Sequence, residues 1–386
     1  MKKLYWIIII FFGFFFLSSF TTSIAADKKE YFVWPPEKIS AKWRIGYLEG
    51  GPWRNYKSSL TATIKGLSRL GWIEPIVIPL QGNNEDTGRV WAWVCANVKS
   101  KYLKFLEDAW YSNSWDEKTR KETKKILLNR LNDKGDIDLM LAMGTWAGQD
   151  LANNKHSIPT IVGSTTDPVA AEIIKSPEDS GYDHIHARVD PTRDERQIRA
   201  FHDIFGFKKL GVPFEDTVTG RSYAAIGKIE KVALERGFKI VPCFLTHSDS
   251  KENELEIIKC AHDLALKTDA FYAPMYASIN SKTSHKIIAA LNKYNIPSFS
   301  QHFDMVRHGF LLSVSITDFD GLGKFHAETI ARIINGEKPG DLNQIHEEPV
   351  KILFNAATAI NIGMKPGIFN MLINTAEKVY NMENKN

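Results

Sequence analysis

The side chains of this sequence that are best suited to chemistry are aromatic, hydroxyl and acidic residues placed just after short apolar runs. In the N-terminal half the candidates are Gly51, Trp53, Thr145, Trp146, Thr165 and Thr166. In the C-terminal half they are Glu215, Asp216, Tyr276 and Gln301. Indole and phenol rings form flat apolar walls, hydroxyl groups donate hydrogen bonds to carboxylates, and carboxylates receive ammonium groups. The set predicts a binding site for a small solute with a carboxylate and an apolar or aromatic part, an amino acid being the leading case.

Each candidate also has a purely structural explanation. A Gly-Gly-Pro-Trp sequence is typical of a tight turn whose indole, here Trp53, covers the core. Thr145 and Thr165 stand where hydroxyl side chains often cap helices. An acidic pair in a loop, such as Glu215 and Asp216, is usually solvated. The sequence leaves both explanations open at these positions.

Motifs for catalysis and metal binding are absent from the sequence, which has no P-loop, nucleophile elbow, H-E-x-x-H or EF-hand loop. His184 and His186 alternate as a metal-binding pair would, but no third ligand stands at a recognisable spacing, so a surface histidine pair is expected. Asp318-Phe-Asp320 lacks the remaining calcium ligands and is typical of a helix start. We predict no catalytic residue, no metal and no cofactor, and the chain is not expected to be an enzyme.

The first 25 residues have the order of a secretory signal peptide. Two lysines precede an apolar run over 4–17, and Ser23 and Ala25 supply the small residues before a cut after Ala25. The apolar run is shorter than the roughly 20 residues of a membrane span, although an uncleaved N-terminal anchor stays open as an alternative. No cysteine lies near the cut, so a lipoprotein is not expected. The sequence predicts export to the periplasm or another extracytoplasmic space.

The length of the chain indicates how many domains it forms, and its charge limits the classes of partner that it can bind. The chain has 386 residues, and without the leader about 360 remain, more than one hydrophobic core usually organises. Its 49 basic and 45 acidic side chains are interspersed, which excludes the clustered positive charge of a nucleic-acid-binding protein. Cys95, Cys243 and Cys260 lie in apolar surroundings and are expected to be core side chains, with one disulfide and one free thiol as the alternative.

Short apolar runs alternate with helical patterns along the chain. The expected strands cover 42–48, 76–78, 138–142, 158–162, 209–212, 238–242, 270–273 and 296–299. Helical spacing follows most of them, and 88–131 is predicted to be one or two helices. The alternation predicts an α/β fold of two doubly wound parallel-sheet (Rossmann-like) domains.

The candidate residues stand where such a fold binds its ligands. Open α/β sheets bind them outside the carboxyl ends of the strands, and each candidate loop follows an expected strand. Thr145 and Thr165 are each expected to begin a helix, whose free N–H groups favour anions such as a carboxylate.

Four segments, in their order along the chain, resemble a family of bacterial extracytoplasmic solute-binding proteins that feed ABC transporters. They are 44–53, 144–169 with its Thr-Thr-Asp-Pro-Val turn, 309–339, and 355–363 with its N-x-x-x-A-x-x-x-G pattern. The resemblance covers roughly 43–364 and is specific in the ordered combination of these motifs. The chain departs from the family at 85–131, which is longer and more aromatic than usual.

This resemblance implies the type I periplasmic-binding architecture, in which two α/β lobes close on a small solute. The first lobe is then expected over 41–165 plus 310–340 and the second over 166–309 plus 341–386, with about three crossings that form a hinge. It also implies an uptake system in which an ABC permease of the inner membrane is the partner, with the binding protein itself a monomer. Aromatic amino acids are suggested as the solutes of some members. A ligand-sensing binding protein for a signalling receptor and a secreted α/β enzyme are the alternative functions.

Overall fold

The computed structural model describes residues 32–79, 86–246, 251–314 and 317–381, and the predicted signal peptide lies outside them. The strands are β1 (Trp43–Glu49), β2 (Leu103–Ser112), β3 (Leu139–Met143), β4 (Thr160–Gly163), β5 (Ile185–Ala187), β6 (Lys209–Phe214), β7 (Lys239–Phe244), β8 (Ala270–Ala273), β9 (Ser298–Ser300), β10 (Leu312–Ser313), β11 (Leu353–Asn355) and β12 (Lys378–Tyr380). The helices are α1 (Arg54–Arg69), α2 (Thr87–Asn97), α3 (Glu117–Asp133), α4 (Thr145–Leu151), α5 (Arg193–Phe205), α6 (Val218–Tyr223), α7 (Ile226–Arg236), α8 (Lys251–Ala265), α9 (Ser281–Asn292), α10 (Phe319–Ile334), α11 (Ala356–Asn361) and α12 (Pro366–Thr375).

The strands form two doubly wound sheets. The first has the order β2-β1-β3-β4-β5 with parallel pairs throughout. The second has the order β12-β11-β10-β9-β8-β6-β7, in which β10 and β11 are the antiparallel pair. The strand order reverses at β1 beside β3 and at β6 beside β8, and ligands of such sheets bind at these switch points. The predicted fold class is confirmed.

The chain crosses three times between the two sheets. It leaves the first sheet after β5, returns after β10 to α10, which packs along α1, and leaves again before β11. We call the first sheet with its helices and α10 the first lobe, and the second sheet with its helices the second lobe. The changes of sheet come after β5 and after β10, later in the chain than the predicted limits at 165 and 310.

Burial on both faces explains why the strands of the first sheet are apolar. All the residues of β3 are buried, because a parallel sheet is covered by helices on both sides. Helix α1 buries Leu60, Ile64 and Leu67, an apolar face at helical spacing, in the core of the first lobe. The second lobe has a continuous core of its own around β6 and β8. These packed layers fix the strand ends and therefore the loops that follow them.

The segment 88–131 differs from its prediction. It contains α2, β2 and α3 rather than helices alone, while 76–78 forms no strand. β2 pairs in parallel with β1 and buries Leu103 and Phe105 on one face. This period of two is obscured in the sequence by Trp and Tyr residues that also suit a helical face. The pairing with β1, a contact between residues distant in the chain, decides the structure of this segment.

The cysteines take the arrangement that the sequence analysis kept as the alternative. Cys243 on β7 and Cys260 on α8 form a disulfide, and Cys95 is a half-buried free thiol. The two partners come together because α8 packs on the sheet beside β7, a contact that spacing alone does not reveal.

The expected surface histidine pair is instead buried. His184 and His186 lie at β5, which is covered on both faces, and the ring of His186 has one nitrogen 3.0 Å from the carbonyl oxygen of Asn343. The prediction of a surface position was wrong because β5 was not recognised as a strand of the first sheet.

Candidate functional site

Loops that follow strands of both lobes line a cleft. The first lobe contributes residues after β1, β2, β4 and β5, and the second lobe contributes residues after β8. The cleft has two adjoining compartments that share Trp53, Ser164, Thr166 and Met275. We call them the aromatic compartment and the polar compartment, after the residues described below. Because β1 and β8 flank the switch points of their sheets, the cleft lies where the topology predicts a ligand.

The aromatic compartment has a volume of about 40 Å³ and is lined mainly by rings. The first lobe contributes Trp53, Tyr56 and Trp115, and the second contributes Tyr223 and Tyr276. Tyr56 and Trp115 have ring centroids 6.3 Å apart, and Tyr223 and Tyr276 meet edge to face at 6.0 Å. Five aromatic side chains around one space favour a flat apolar group.

Trp53 stands between the compartments and reaches across to the second lobe. It immediately precedes α1, is half-buried, and meets the ring of His302 edge to face at 5.7 Å. Burial lowers the pKa of His302 to about 4, so the imidazole is uncharged at neutral pH. The centre of the cleft is therefore a neutral, aromatic surface.

The polar compartment has a volume of about 50 Å³. Its lining includes the polar side chains Asn55, Ser164, Thr165, Thr166, Arg188, Arg193 and Glu348. Ser164 has a φ of 55°, a left-handed conformation that is rare outside glycine, and its hydroxyl lies 2.9 Å from that of Ser59. Thr165 is buried, and within the described part of the chain its hydroxyl has no hydrogen-bond partner. A buried donor without a partner is costly, so it favours a ligand oxygen at this position.

Three arginines and three carboxylates form an ion network at the polar compartment. They are Arg188, Asp190, Arg193, Asp194, Arg196 and Glu348. Glu348 lies 3.0 Å from Arg188 through one oxygen and 3.7 Å from Arg193 through the other. Arg193 also lies 3.3 Å from Asp194. Since these residues belong to the first and third crossings and to the start of α5, the network lies at the hinge.

Gln301 links this network to the loop after β8. Its side-chain nitrogen donates to a carboxylate oxygen of Asp194 at 3.1 Å, and its side-chain oxygen accepts from the backbone N–H of Met275 at 2.9 Å. Burial raises the pKa of Asp194, so this carboxylate depends on its donors. Buried Gln301 thus positions Met275, which lines both compartments.

Side chains join the two lobes across the cleft. Arg54 at the start of α1 forms an ion pair with Asp304 of the second lobe. Gln149 on α4 donates from its side-chain nitrogen to the hydroxyl of Thr219 on α6 at 3.2 Å. These contacts join the two lobes on either side of the compartments.

Two of the predicted site residues lie behind the aromatic compartment. Thr145 and Trp146 are buried at the start of α4 and line neither compartment. A side chain at Gly144, whose φ is 88°, would overlap the hydroxyl of Tyr56. Trp146 meets the ring of Trp115 at 5.6 Å. This layer supports Tyr56 and Trp115 from behind.

The acidic candidates after β6 also line neither compartment. Asp216 is largely exposed and lies 3.2 Å from Arg221. The backbone N–H of Glu215 donates to the Tyr276 hydroxyl at 3.1 Å, and that hydroxyl donates to the carbonyl oxygen of Gly220 at 3.1 Å. The loop after β6 therefore holds Tyr276 in place through backbone groups.

The expected pair of helix N-termini is present at only one of its two positions. α4 begins at Thr145 but has only seven residues, and turns rather than a helix follow Thr165. The carboxylate of Asp167 accepts from the backbone N–H groups of Val169 and Ala170 at 3.1 and 3.0 Å, and Glu172 with a φ of 58° ends the turn. The helix after Thr165 was wrongly predicted because Asp167 caps a single turn, which the left-handed backbone of Glu172 ends before a helix can continue.

Among the residues that line the cleft and that sequence reasoning missed are Tyr56, Trp115, Arg188 and Arg193. Trp115 follows β2, and the two arginines follow β5. Neither strand was among the expected ones, so the rule that ligands bind after strands was not applied there. The run Arg188-Val-Asp-Pro-Thr-Arg193 after an apolar segment was the available signal.

The described part of the chain has neither a cluster of metal ligands nor a helix suited to cross a membrane. Over 32–79, 86–246, 251–314 and 317–381, no group of three or more His, Cys, Asp and Glu side chains has the arrangement of a metal site. None of the helices in those ranges combines the length and hydropathy needed to cross a membrane.

Comparisons with known proteins identify the family. The family model described as ABC transporter substrate binding protein matches residues 102–378. The tyrosine-binding protein of Clostridioides difficile strain R20291 is 25% identical over 282 residues, which are 69% of this chain and 77% of that protein.

Two solved structures have the same fold. The ABC domain in complex with L-Trp from Streptococcus pneumonia has a TM-score of 0.66 at 19% identity, covering 88% of this chain and 99% of that one. The ligand-free, open structure of a substrate binding protein with adhesive properties from Clostridium difficile has a TM-score of 0.57 at 20% identity, covering 88% and 100%. Because the family model spans most of the chain and the two lobes have the expected topology, the chain belongs to the ABC transporter substrate-binding protein family.

Proposed function

We propose that this chain is the extracytoplasmic solute-binding component of an ABC-type uptake system and that its solute is an aromatic amino acid. The observation that carries the proposal is the compartment lined by five rings directly beside a compartment lined by hydroxyls and balanced charges. The name of one relative and the ligand of one similar structure, tyrosine and L-Trp, support an aromatic solute.

The ring of the solute is proposed to lie among the aromatic side chains and its α-carbon groups in the polar compartment. There the Thr165 hydroxyl and the arginines suit a carboxylate, and Glu348 suits an ammonium. The network has equal numbers of arginines and carboxylates, so a zwitterion leaves it balanced. A solute with a single charge leaves one buried charge unpaired, which is costly.

Of the residues predicted from the sequence, we propose direct solute contacts for Trp53, Thr165, Thr166 and Tyr276. Gly51, Thr145, Trp146 and Gln301 are proposed to support these contacts without touching the solute. Contact with both lobes stabilises the closed state by its differential affinity for that state. Opening is proposed to occur about the three crossings that hold the ion network.

We also propose how the protein is secreted and which partner it serves. The leader 1–25 is proposed to direct export to the periplasm as a cleaved signal peptide, not as a lipoprotein. The mature monomer then delivers its solute, chemically unchanged, to a permease in the inner membrane. N-terminal sequencing of protein from the periplasmic fraction is expected to begin at or near Ala26, and a chain that begins at Met1 contradicts cleavage.

Calorimetry on the purified mature protein tests the solute. L-tyrosine, L-phenylalanine and L-tryptophan are compared with tyramine and 3-(4-hydroxyphenyl)propionate, each of which lacks one charge. We expect binding of at least one aromatic amino acid and at least tenfold weaker binding of both analogues, because one unpaired buried charge costs more than about 1.4 kcal/mol. Mass spectrometry of the released solute is expected to recover it unchanged.

A pair of tryptophan variants tests the site. Trp53→Ala removes the ring shared by both compartments and is expected to weaken binding roughly 10- to 100-fold through lost burial and ring contact. Trp34→Ala, at an indole that is 58% exposed and lines neither compartment, is the matched control and is expected to bind like the parent. Equal affinity of both variants would place the solute elsewhere, and binding of no aromatic amino acid by the parent overturns the proposed function.

A further inference from the structure

We propose that Trp115 determines which ring the cleft accepts, so that the protein prefers amino acids with a single ring to those with an indole. This inference rests on the proposed function and adds a specificity-determining residue to it. Trp115 lines the aromatic compartment from the turn between β2 and α3.

The backbone of this turn holds Trp115 against the loop after β1. Ser114 and Trp115 both have positive φ values, 51° and 57°, which non-glycine residues rarely adopt. The backbone N–H of Trp115 donates to the carbonyl oxygen of Gly50 at 2.9 Å, and its indole N–H donates to the carbonyl oxygen of Pro52 at 3.0 Å. Strained conformations persist where surrounding contacts determine them, as these two bonds do here.

The glycines of the same loop provide the surface on which the indole lies. A Cβ at Gly51 would come within 2.6 to 2.7 Å of three atoms of the Trp115 ring, and a Cβ at Gly50 within 2.7 Å of a fourth. Trp146 packs against the indole edge to face at 5.6 Å. The ring of Trp115 is thus backed by Gly51 and Trp146 and cannot withdraw from the compartment.

The volume of the compartment makes this fixed wall selective. About 40 Å³ is available, whereas an apolar cavity that accepts benzene holds roughly 150 Å³. Because Trp115 is backed by the first lobe, a bound ring is expected to gain its space by movement of the second lobe, which carries Tyr223 and Tyr276. A larger ring requires more opening and so disturbs the contacts between the lobes, such as that of Gln149 with Thr219. An indole is expected to bind more weakly than a phenyl ring for this reason.

The experiment measures the ratio of the L-tryptophan and L-phenylalanine dissociation constants by calorimetry in four proteins. The parent is expected to bind L-phenylalanine more tightly. Trp115→Ala removes the wall and is expected to move the ratio toward L-tryptophan by about tenfold or more, within the range seen when pocket size discriminates ligands. Trp93→Ala, at a half-buried indole on α2 that lines neither compartment, is the matched control and is expected to keep the parent ratio.

Gly51→Ala acts on the same wall without changing any ring. Its new methyl group pushes the indole further into the compartment and is expected to move the ratio in the opposite direction, against L-tryptophan. In the double variant Gly51→Ala/Trp115→Ala the methyl group has no ring to displace, so the ratio is expected to equal that of Trp115→Ala alone. This non-additivity is specific to a direct contact between the two positions.

Each outcome bears on one of the two proposals. If L-tyrosine is the single-ring amino acid that binds, it takes the place of L-phenylalanine in the ratio. A parent that binds none of L-tyrosine, L-phenylalanine and L-tryptophan overturns the proposed function and this inference with it. A parent that binds them while Trp115→Ala and Gly51→Ala keep its ratio overturns the role of Trp115 and leaves the proposed function standing. Thermal melts confirm that each variant is folded, and the Gly51→Ala result decides the question if Trp115→Ala does not fold.

Discussion

The aromatic compartment and the polar compartment share four residues but are built in opposite ways. Rings line the first, and the polar tips of Trp115 and Tyr276 are tied to backbone carbonyl oxygens. Charged side chains line the second, and the carboxylate of Glu348 lies between two arginines in the hinge. Neutral rings can separate from a ligand without leaving a charge unpaired, whereas the ions must stay together as the lobes move. We therefore expect the rings to decide which aromatic group is accepted, and the ions to hold the hinge together and to require a zwitterion.

The largest expected effect comes from breaking the ion network. Glu348→Ala leaves Arg188 and Arg193 buried without their shared carboxylate and is expected to lower the free energy of unfolding by about 3–5 kcal/mol. Glu377→Ala is the control, because Glu377 pairs with Lys351 at 2.9 Å where both are exposed, and its expected cost is below about 1 kcal/mol. Denaturant titrations measure both. Equal costs for the two variants contradict the structural role given to the hinge ions.

A smaller effect, which depends on pH, is expected at the buried carboxyl group of Glu49, next to the glycines that contact Trp115. Glu49 ends β1 just before Gly50, and burial raises its pKa from 4.5 to about 7 although the Tyr47 and Thr87 hydroxyls donate to it. Its folded form holds the proton more tightly, so its favourable contribution is complete below pH 4.5 and is lost as pH rises through 7. Glu49→Gln is expected to gain up to about 3 kcal/mol relative to the parent between pH 4.5 and 8.

Thermal or denaturant unfolding of parent and variant at pH 5 and pH 8 measures this gain. The exposed Glu117→Gln is the control and is expected to follow the parent at both values. Buried histidines work in the opposite direction: burial lowers the pKa of His186 to about 4 and of His326 to about 3, so their contribution is present above pH 6.5 and lost in acid. Both histidines are present in the variant and in the parent. Their contribution is therefore removed when the two free energies of unfolding are subtracted. If the free energy of unfolding depends on pH in the same way in Glu49→Gln and in the parent, the raised pKa of Glu49 is contradicted.

The smallest effect is expected outside both compartments. Asp216 was a candidate for binding an ammonium, but it pairs with Arg221 where both side chains are at least 40% exposed. Asp216→Asn is expected to change the free energy of unfolding by less than about 1 kcal/mol and to leave solute affinity at the parent value. Calorimetry with the solute identified for the parent checks this. A tenfold loss of affinity would indicate that Asp216 contacts the solute and that the charged groups of the solute bind away from the hinge.

Strong local signals made much of the fold predictable. The apolar runs at β1, β3, β6 and β8 and the helical spacing of α1 are local patterns, and the structure has these elements close to their expected bounds. Where local signals conflicted, the prediction failed: residues of β2 are aromatic and suit either a strand or a helix, and the Asx turn at Asp167 replaces a helix. For β2 the long-range pairing with β1 determines the outcome, and after Asp167 the left-handed backbone of Glu172 does.

The candidate site was predictable in position but only partly in composition. Trp53, Thr165, Thr166 and Tyr276 follow expected strands, and the structure places them in the lining of the cleft. Thr145 and Trp146 also follow an expected strand but lie behind the lining. A residue that follows a strand lies at the carboxyl end of the sheet. Whether its side chain reaches the cleft or is buried behind it depends on the residues that pack around that side chain.

By itself the sequence determined the two doubly wound lobes and the use of the strand ends, because these follow from the periodicity of neighbouring residues, whereas the three crossings were implied by the resemblance to the family. Only the tertiary structure decided that Trp115 enters the cleft, since that requires β2 to pair with β1 and Gly51 to leave room for the indole. It likewise decided that the arginines after β5 meet Glu348 at the hinge. Residues 60 or more positions apart in the chain make these contacts, and their register depends on the packing of whole sheets and helices.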